Sequence, residues 1–579
     1  MLGLSALSAP LTAHSSVQDK ADQAVKQQLA SANKKGWSAV IVRTSAAPTA
    51  AQEATIKSLG GDVYRHLGIV NSLALRIPNK NLAKLAALPF VSRISSDMEV
   101  KKTDEFTIEG SGAKAAWSYG FSGTGVGVAV VDTGVDKAND LSYRTKGATF
   151  VPGTVDVRDE CGHGTHIAGI VAGNGIESSY SNNFRTFYGV APTAKIVPVR
   201  VLNRYGYGTV SQVVAGIQWT IANRAANNIR VMNISLGHTV GESYTTDPLC
   251  QAVEAAWKSG IVVVCAAGNN GRKSGTQTVG MSNEGFGTRY GSIQSPANSP
   301  YVITVGAMKA TAMQVPIAPG APFSYDRTKD RIATYSSRGP SRIDYVLKPD
   351  LVAPGNRVIS LYGINAWRLE QFPSNLIPFD AYTAARNNGW GNRDSYSYLQ
   401  LSGTSMAAPV VAGAAALLLQ KDPNLTPDAV KARLMVSADK WVAPDGSGDA
   451  LTYGAGYLNI PAALNTRVTP TQYALSPRLL VNPATQKLTI DPSLWGSQAM
   501  WGEQAIWGTQ AIWGEQAIWG SQEIWGEQAI WGNQAIWGDQ AIWGTQALWG
   551  EQALWTDQAI WGLTSSRVDL TSTAINGEK

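Results

Sequence analysis

Three short stretches of this 579-residue chain set reactive side chains at the ends of apolar runs. In "VGVAVVDTGVD", Asp132 closes a Val-rich run just before Thr133 and Gly134. A carboxylate at that junction of buried strand and turn can bind a metal or orient a base. In "DECGHGTHIAGIVAG", His163 stands between Gly162 and Gly164 where a helical pattern begins, either as a structural imidazole or as a proton carrier. In "GTSMAAP", Ser405 heads the apolar run "VVAGAAALLL". A hydroxyl there serves as an N-cap, or reacts in front of the helix's exposed N–H groups. His166 follows His163 by three residues, but HGTH is not HExxH and no glutamate is placed as the base of a zinc site. His166 therefore reads as structural.

The elements around these residues divide the chain into segments. Residues 1–15 are apolar and rich in small residues like the end of a secretory signal, without its basic n-region, and read as a signal remnant or a disordered start. Residues 16–104 contain the order strand, helix, strand, strand, helix, strand, a small ferredoxin-like α+β unit that ends in "DMEVKKTDEF", read as an exposed connector. Over residues 105–465, runs such as "VGVAVV", "AKIVPVRVL", "IRVMNISLG", "IVVVCAAG" and "YVITVGA" alternate with helical patterns. That predicts an α/β domain, a parallel sheet covered by helices on both faces, with its chemistry at the carboxyl ends of the strands. The aperiodic stretches over 269–292 and 309–331 read as surface insertions.

A linker over 466–494 leads to a hexad repeat, W-G-x-Q-A-I, over 495–562, with a tail over 563–579. Twelve tryptophans recur six residues apart, a spacing that scatters them around a helix but aligns them on a strand. The x position alternates between acidic residues and mostly Ser, Thr or Asn, so the true period is twelve and a β-type roll or set of hairpins is expected. No Lys or Arg lies between Lys487 and Arg567, so the repeat is acidic.

The formal charge of +6 is mild for this length, and no basic cluster interleaved with aromatics marks a nucleic-acid face. The longest apolar runs are about half the roughly 20 residues of a membrane span. Cys161, Cys250 and Cys265 lack CxxC spacing; Cys250 and Cys265 could pair, but buried thiols are the preferred reading.

Taken together and in order, "DTGVD", "GHGTHIAG" and "GTSMAAP" resemble the subtilase (subtilisin-like) serine protease family, peptidase family S8, and so do "NISLG", "AAGNNG", "YSSRGP" and "KPDLVAPG". The likeness covers roughly residues 105 to 465, and the amino-terminal unit resembles the family's inhibitor I9-like propeptide. It implies a secreted or extracytoplasmic serine endopeptidase that acts on protein or peptide substrates through an acyl-enzyme. Asp132, His163 and Ser405 would form the triad and Asn269 the oxyanion donor. Tyr205, Gly206, Tyr207, Gly208, Ser235, Leu236, Gly237, Ala266, Ala267 and Gly268 would line the substrate cleft. Gln294 would approach the floor of the P1 pocket, where no acidic group is evident, which suggests a broad or apolar P1 preference.

The propeptide would act as an intramolecular inhibitor until cut between about Ser96 and Thr107. The chemistry requires no cofactor; structural calcium is compatible with Asp140 in "DKANDL", with no metal ligands assigned. Cys161, two residues before His163, reads as a small side chain beside the cleft. A reading from another class is a surface or adhesive protein whose tryptophan repeat, binding glycans or a cell envelope, is the functional part.

Overall fold

A computed structural model describes residues 20–30, 36–97, 99–102, 109–179, 183, 185–274, 286–310, 313–314, 324–366, 369, 372, 375–377, 382, 397–441, 449–470, 473–481 and 488–491. The tryptophan repeat and the first 19 residues lie outside these. The chain forms two units, divided after Met98.

The first unit carries α1 (Gln23–Ala30), β1 (Trp37–Thr44), α2 (Ala50–Ser58), β2 (Asp62–Leu67), β3 (Ser72–Pro78), α3 (Leu82–Ala86) and β4 (Val91–Ser96). From β1 onward this is the order expected from sequence; α1 is an addition. The strands form one antiparallel sheet, β2-β3-β1-β4. Alternate residues Val40 and Val42 of β1, and Leu73, Leu75 and Ile77 of β3, pack with Ile56 of α2 and Leu82 and Leu85 of α3. Thr49 begins α2 with a reciprocal capping box to Gln52.

In the second unit come β5 (Glu99–Lys102), α4 (Ala113–Ser118), β6 (Gly127–Asp132), β7 (Ala148–Thr149), α5 (His163–Ala172), β8 (Lys195–Arg200), β9 (Tyr207–Thr209), α6 (Val210–Ala222), α7 (Arg224–Asn227), β10 (Ile229–Ile234), β11 (Leu236–Gly237), α8 (Pro248–Lys258), β12 (Val262–Ala266) and α9 (Thr404–Lys421). β12, β10, β6 and β8 are parallel neighbours, continued by Ile303–Lys309 and then Leu351–Pro354. Every residue of β6 and β12 is buried, as helices on both sheet faces require. The sheet is mostly rather than wholly parallel, because Arg331–Ile332 returns antiparallel against Met308 and Lys309 at one edge.

α9 packs on β10, β12 and α5 and is buried around its whole circumference. It is long and apolar enough to cross a membrane by composition, yet 89% of that window lies inside the protein, the signature of a central core helix.

One element corrects the sequence reading. The connector is not simply exposed: β5 is the middle strand of a three-stranded antiparallel sheet, β11-β5-β9. Val100 pairs with Gly208, Lys101 with both Tyr207 and Gly237, and Lys102 with Leu236. Backbone bonds on both edges hold a segment that has no apolar alternation of its own.

Candidate active site

The sheet register brings the candidate residues to one level. Ile234 of β10 lies opposite Val131 of β6 and Cys265 of β12, so the next residues, Asp132, Ser235 and Ala266, emerge together at the carboxyl ends of three adjacent strands. α5 and α9 bring His163 and Ser405 to this edge with their amino ends. Both helices start from glycine in a positive-φ conformation, Gly162 at 97° and Gly403 at 154°, without a side-chain cap. By contrast α6 is capped by Thr209 and α8 by Asp247. A Cβ on Gly162 would also come within 2.7 Å of Ala366 and Leu369.

Asp132, His163 and Ser405 are fully buried. The His163 Nδ1–H donates to Asp132 Oδ1 at 2.6 Å, and the Thr133 N–H donates to the same oxygen at 2.7 Å. Ser405 Oγ donates to the Ser235 carbonyl at 3.1 Å. In return Ser235 Oγ donates to the Ser405 carbonyl at 2.7 Å. That carbonyl would ordinarily receive the N–H of residue 409, which is Pro409 and has none. Ser235, itself held by Asn233 Nδ2 at 2.9 Å, fills the gap and locks the strand end to the helix turn that carries Ser405.

Asn269 Oδ1 accepts the Thr404 N–H at 2.9 Å and the Thr404 hydroxyl at 3.0 Å. The Thr404 hydroxyl in turn accepts the Gly268 N–H at 3.0 Å. These contacts fix which end of the Asn269 amide is which, and no hydrogen bond engages Nδ2 among the described residues.

Ala267 and Gly268 follow β12 into the site, and Leu236 and Gly237 form β11. The expected edge strand starts later than predicted. Tyr207 and Gly208 belong to β9, whereas Tyr205 and Gly206 form a turn closed by the Gly206 N–H donating to Asn203 O at 2.9 Å. Asn203 Oδ1 accepts the Tyr205 N–H, which takes that residue off the strand and leaves its side chain 42% exposed.

His166 is buried, with Nε2 donating to Leu399 O at 3.3 Å, a structural contact. The three cysteines are buried free thiols. Burial pushes the Cys250 and Cys265 thiols far above their ordinary range.

Asp140, the residue named for calcium, has both carboxylate oxygens engaged by protein donors. Its Oδ1 accepts the Glu177 N–H at 2.8 Å and its Oδ2 accepts the Tyr398 hydroxyl at 2.6 Å. Burial raises the carboxyl further. Among the described residues no group of three or more His, Cys, Asp or Glu is arranged to hold a metal. No step of the chemistry is assigned to a metal.

An α/β sheet that presents a buried Asp–His pair and a helix-heading serine at one edge defines a hydrolase of the serine protease kind. The sequence matches the model of the subtilase family, Peptidase S8, over residues 123–457, and the chain belongs to that family as a subtilisin-like serine endopeptidase. It is 36% identical over 379 residues to serine protease AprX of Bacillus subtilis (strain 168), covering 64% of this chain and 73% of that protein. With subtilisin E of the same organism it shares 32% identity over 424 residues, 72% of this chain and 87% of that one. In structure it resembles fervidolysin from Fervidobacterium pennivorans, a keratinolytic enzyme related to subtilisin. The TM-score is 0.53 at 24% identity, with 76% of this chain and 63% of that chain covered. Its substrates are proteins or peptides.

Proposed function

We propose that this endopeptidase is secreted and matures itself, and that Ser405, His163, Asp132 and Asn269 carry its chemistry. Ser405 Oγ attacks the scissile carbonyl while His163 Nε2 takes its proton. Asp132 holds the ring in the Nδ1–H tautomer and stabilises the imidazolium. The Ser405 N–H and Asn269 Nδ2 donate to the oxyanion. Collapse expels the amine, which takes the proton from His163 and leaves an acyl-Ser405 ester. Water, deprotonated by His163, then hydrolyses the ester. The observation that carries the assignment is the buried 2.6 Å bond from His163 to Asp132 at the strand edge that also holds Ser405.

Self-maturation is supported by β5. It lies in backbone register with Tyr207, Gly208, Leu236 and Gly237, the residues expected to grip an extended substrate. In sequence it directly follows the amino-terminal unit, which we assign as an I9-like propeptide that inhibits its own chain. Lys102 pairs with Leu236, one residue beyond Ser235, whose carbonyl accepts the Ser405 hydroxyl, and Thr103 follows Lys102 in sequence. We expect the cut at Thr103–Asp104.

The test follows chain mass and casein hydrolysis together and maps the adduct of a fluorophosphonate. A new amino terminus at Asp104, with label on Ser405, is the expected result. Casein hydrolysis without label on Ser405 would overturn the nucleophile. Label on Ser405 without any shortening of the chain would overturn self-maturation alone. Secretion, inferred from the signal-like opening, is read by fractionating the producing cells.

P1 selectivity is assigned to Gln294, which occupies the gap between two cleft glycines. A Cβ on Gly268 would lie 2.8 Å from its Cγ, and one on Gly237 would lie 3.1 Å from its Oε1. A filled gap of this kind favours small P1 residues over the broad or apolar range expected from sequence. Gln294→Gly is expected to raise kcat/KM for a P1 Phe peptide, relative to P1 Ala, by about tenfold or more. An unchanged ratio would remove Gln294 from the pocket. For the tryptophan repeat we retain glycan or cell-envelope binding as the proposal, tested by pull-down of the full chain on cell envelopes.

A further inference from the structure

The direct link between Asp132 and His163 is one hydrogen bond; the Asp132 backbone is held in the sheet, its carbonyl accepting the Val201 and Leu202 N–H groups, but its carboxylate has few other partners. Its Oδ2 is buried without a hydrogen-bond partner among the described residues, and Oδ1 is shared by His163 and the Thr133 N–H. A hydrogen bond alone does not set the separation between the end of a strand and the start of a helix. Something must hold β6's end and α5's first turn at the distance that a 2.6 Å contact requires.

A second, fully buried carboxylate lies between them. Asp159 Oδ1 accepts the Thr133 hydroxyl at 2.7 Å, the Gly162 N–H at 2.7 Å and the Cys161 N–H at 3.2 Å. Its Oδ2 accepts the Thr165 N–H at 2.7 Å and the Thr165 hydroxyl at 2.8 Å. The Thr133 hydroxyl also accepts the Gly164 N–H at 2.9 Å. Asp159 therefore grips the residue after Asp132 and residues on both sides of His163 at once.

The backbone of Asp159 is anchored as well, its N–H donating to Asp136 Oδ1 at 3.0 Å. Asp136 returns to the same helix turn, its N–H donating to Thr165 Oγ1 at 2.9 Å. Asn365 fixes the Asp136 carboxylate with its N–H and its side-chain amide, each at 3.0 Å. Five donors surround the Asp159 carboxylate and none is a cation, an arrangement suited to holding backbone in place.

We propose that Asp159 is a positioning residue for catalysis, fixing the Asp132–His163 geometry through the Thr133 hydroxyl and the first-turn amides of α5. The proposal rests on the triad roles given above. An asparagine at 159 keeps the size but turns an NH2 group toward donors, so one side of the clamp is lost. A displacement of the order of 1 Å at the reacting groups costs about 10²-fold in rate.

The experiment uses mature enzyme, with slowly maturing variants processed by a trace of wild type. Rates are expressed per active site titrated with a sulfonyl fluoride. For Asp159→Asn, kcat on a peptide anilide should fall about 10²-fold with KM within about twofold, and the low-field proton resonance of His163 Nδ1–H should shift or broaden. Should Asp159→Asn fail to fold, Thr133→Val carries the test, because it removes only the bridging hydroxyl and should lower kcat in the same pattern by about tenfold. Unchanged kcat per titrated site, or an unmoved His163 resonance, in the folded variant would overturn the proposal. Wild-type turnover and titration in the same series show whether the triad assignment itself has failed.

Discussion

Ser405→Ala is expected to leave the chain uncut and to lower peptide hydrolysis by about 10⁶-fold, the order measured for loss of the serine in subtilisin itself. The large effect follows from the site's construction. Ser405 Oγ has the Ser235 carbonyl as a hydrogen-bond acceptor, and the alanine Cβ remains in a helix turn already locked by Ser235 and Asn269, so the fold should be unaffected. What disappears is the covalent route. In the proposed mechanism, residual hydrolysis would be set by the Asn269 amide and the cleft, which would still bind the substrate and its developing oxyanion. His163→Ala should cost nearly as much, and the double variant little more, because the two groups act as one unit. The measurement is kcat/KM on a peptide anilide with chain mass recorded in parallel. Losses that multiply in the double variant would mean that Ser405 and His163 do not share a step.

The contrast between what the sequence disclosed and what it hid has a physical basis. Asp132, His163 and Ser405 were legible because each sits in a contiguous motif at the end of an apolar run, and their order is specific. The amino-terminal unit was legible because the apolar runs of β1 and β3, buried over most of their central residues, stand between short helical patterns. β5 was not, since "EVKK" is held by backbone pairing to β9 and β11 and carries no side-chain pattern. The Tyr205 turn has no apolar pattern to betray it, because it is closed by the backbone and side chain of Asn203. Asp159 was hidden for a related reason. Its partners, Thr133, Gly162 and Thr165, are ordinary in sequence, and only folding converges them on one carboxylate.

Replacing Asp350 by alanine should destabilise the second unit by about 3–5 kcal/mol, the usual cost of stranding a buried charge. Asp350 lies fully buried between two fully buried lysines. Lys348 Nζ donates to its Oδ2 at 2.7 Å, and Lys431 Nζ is 3.4 Å from its Oδ1. The Thr304 N–H and the Ser476 hydroxyl donate to it as well. Burial alone would raise the Asp350 carboxyl; Lys348 and Lys431 outweigh it and hold the group below the ordinary carboxylate range. Its folded value thus lies below the unfolded one, so its contribution is complete above the unfolded value and is lost as pH falls through the folded one. The gap between wild type and Asp350→Ala should therefore narrow in acid. Both chains are compared in the Ser405→Ala background to prevent autolysis, by urea midpoint and by half-life at fixed temperature. Replacing all three groups, Lys348→Met, Asp350→Leu and Lys431→Met, should recover only part of the loss. Lys431 also donates to the carbonyls of Pro300 at 2.8 Å, Tyr301 at 3.2 Å and Val302 at 3.1 Å; the triple replacement removes this donor from all three and the Lys348 donor from Val302, while Ser476 still donates to Pro300. Full recovery would mean that the lysines serve only Asp350; no loss in Asp350→Ala would mean that the carbonyls and Ser476 hold both ammonium groups without it.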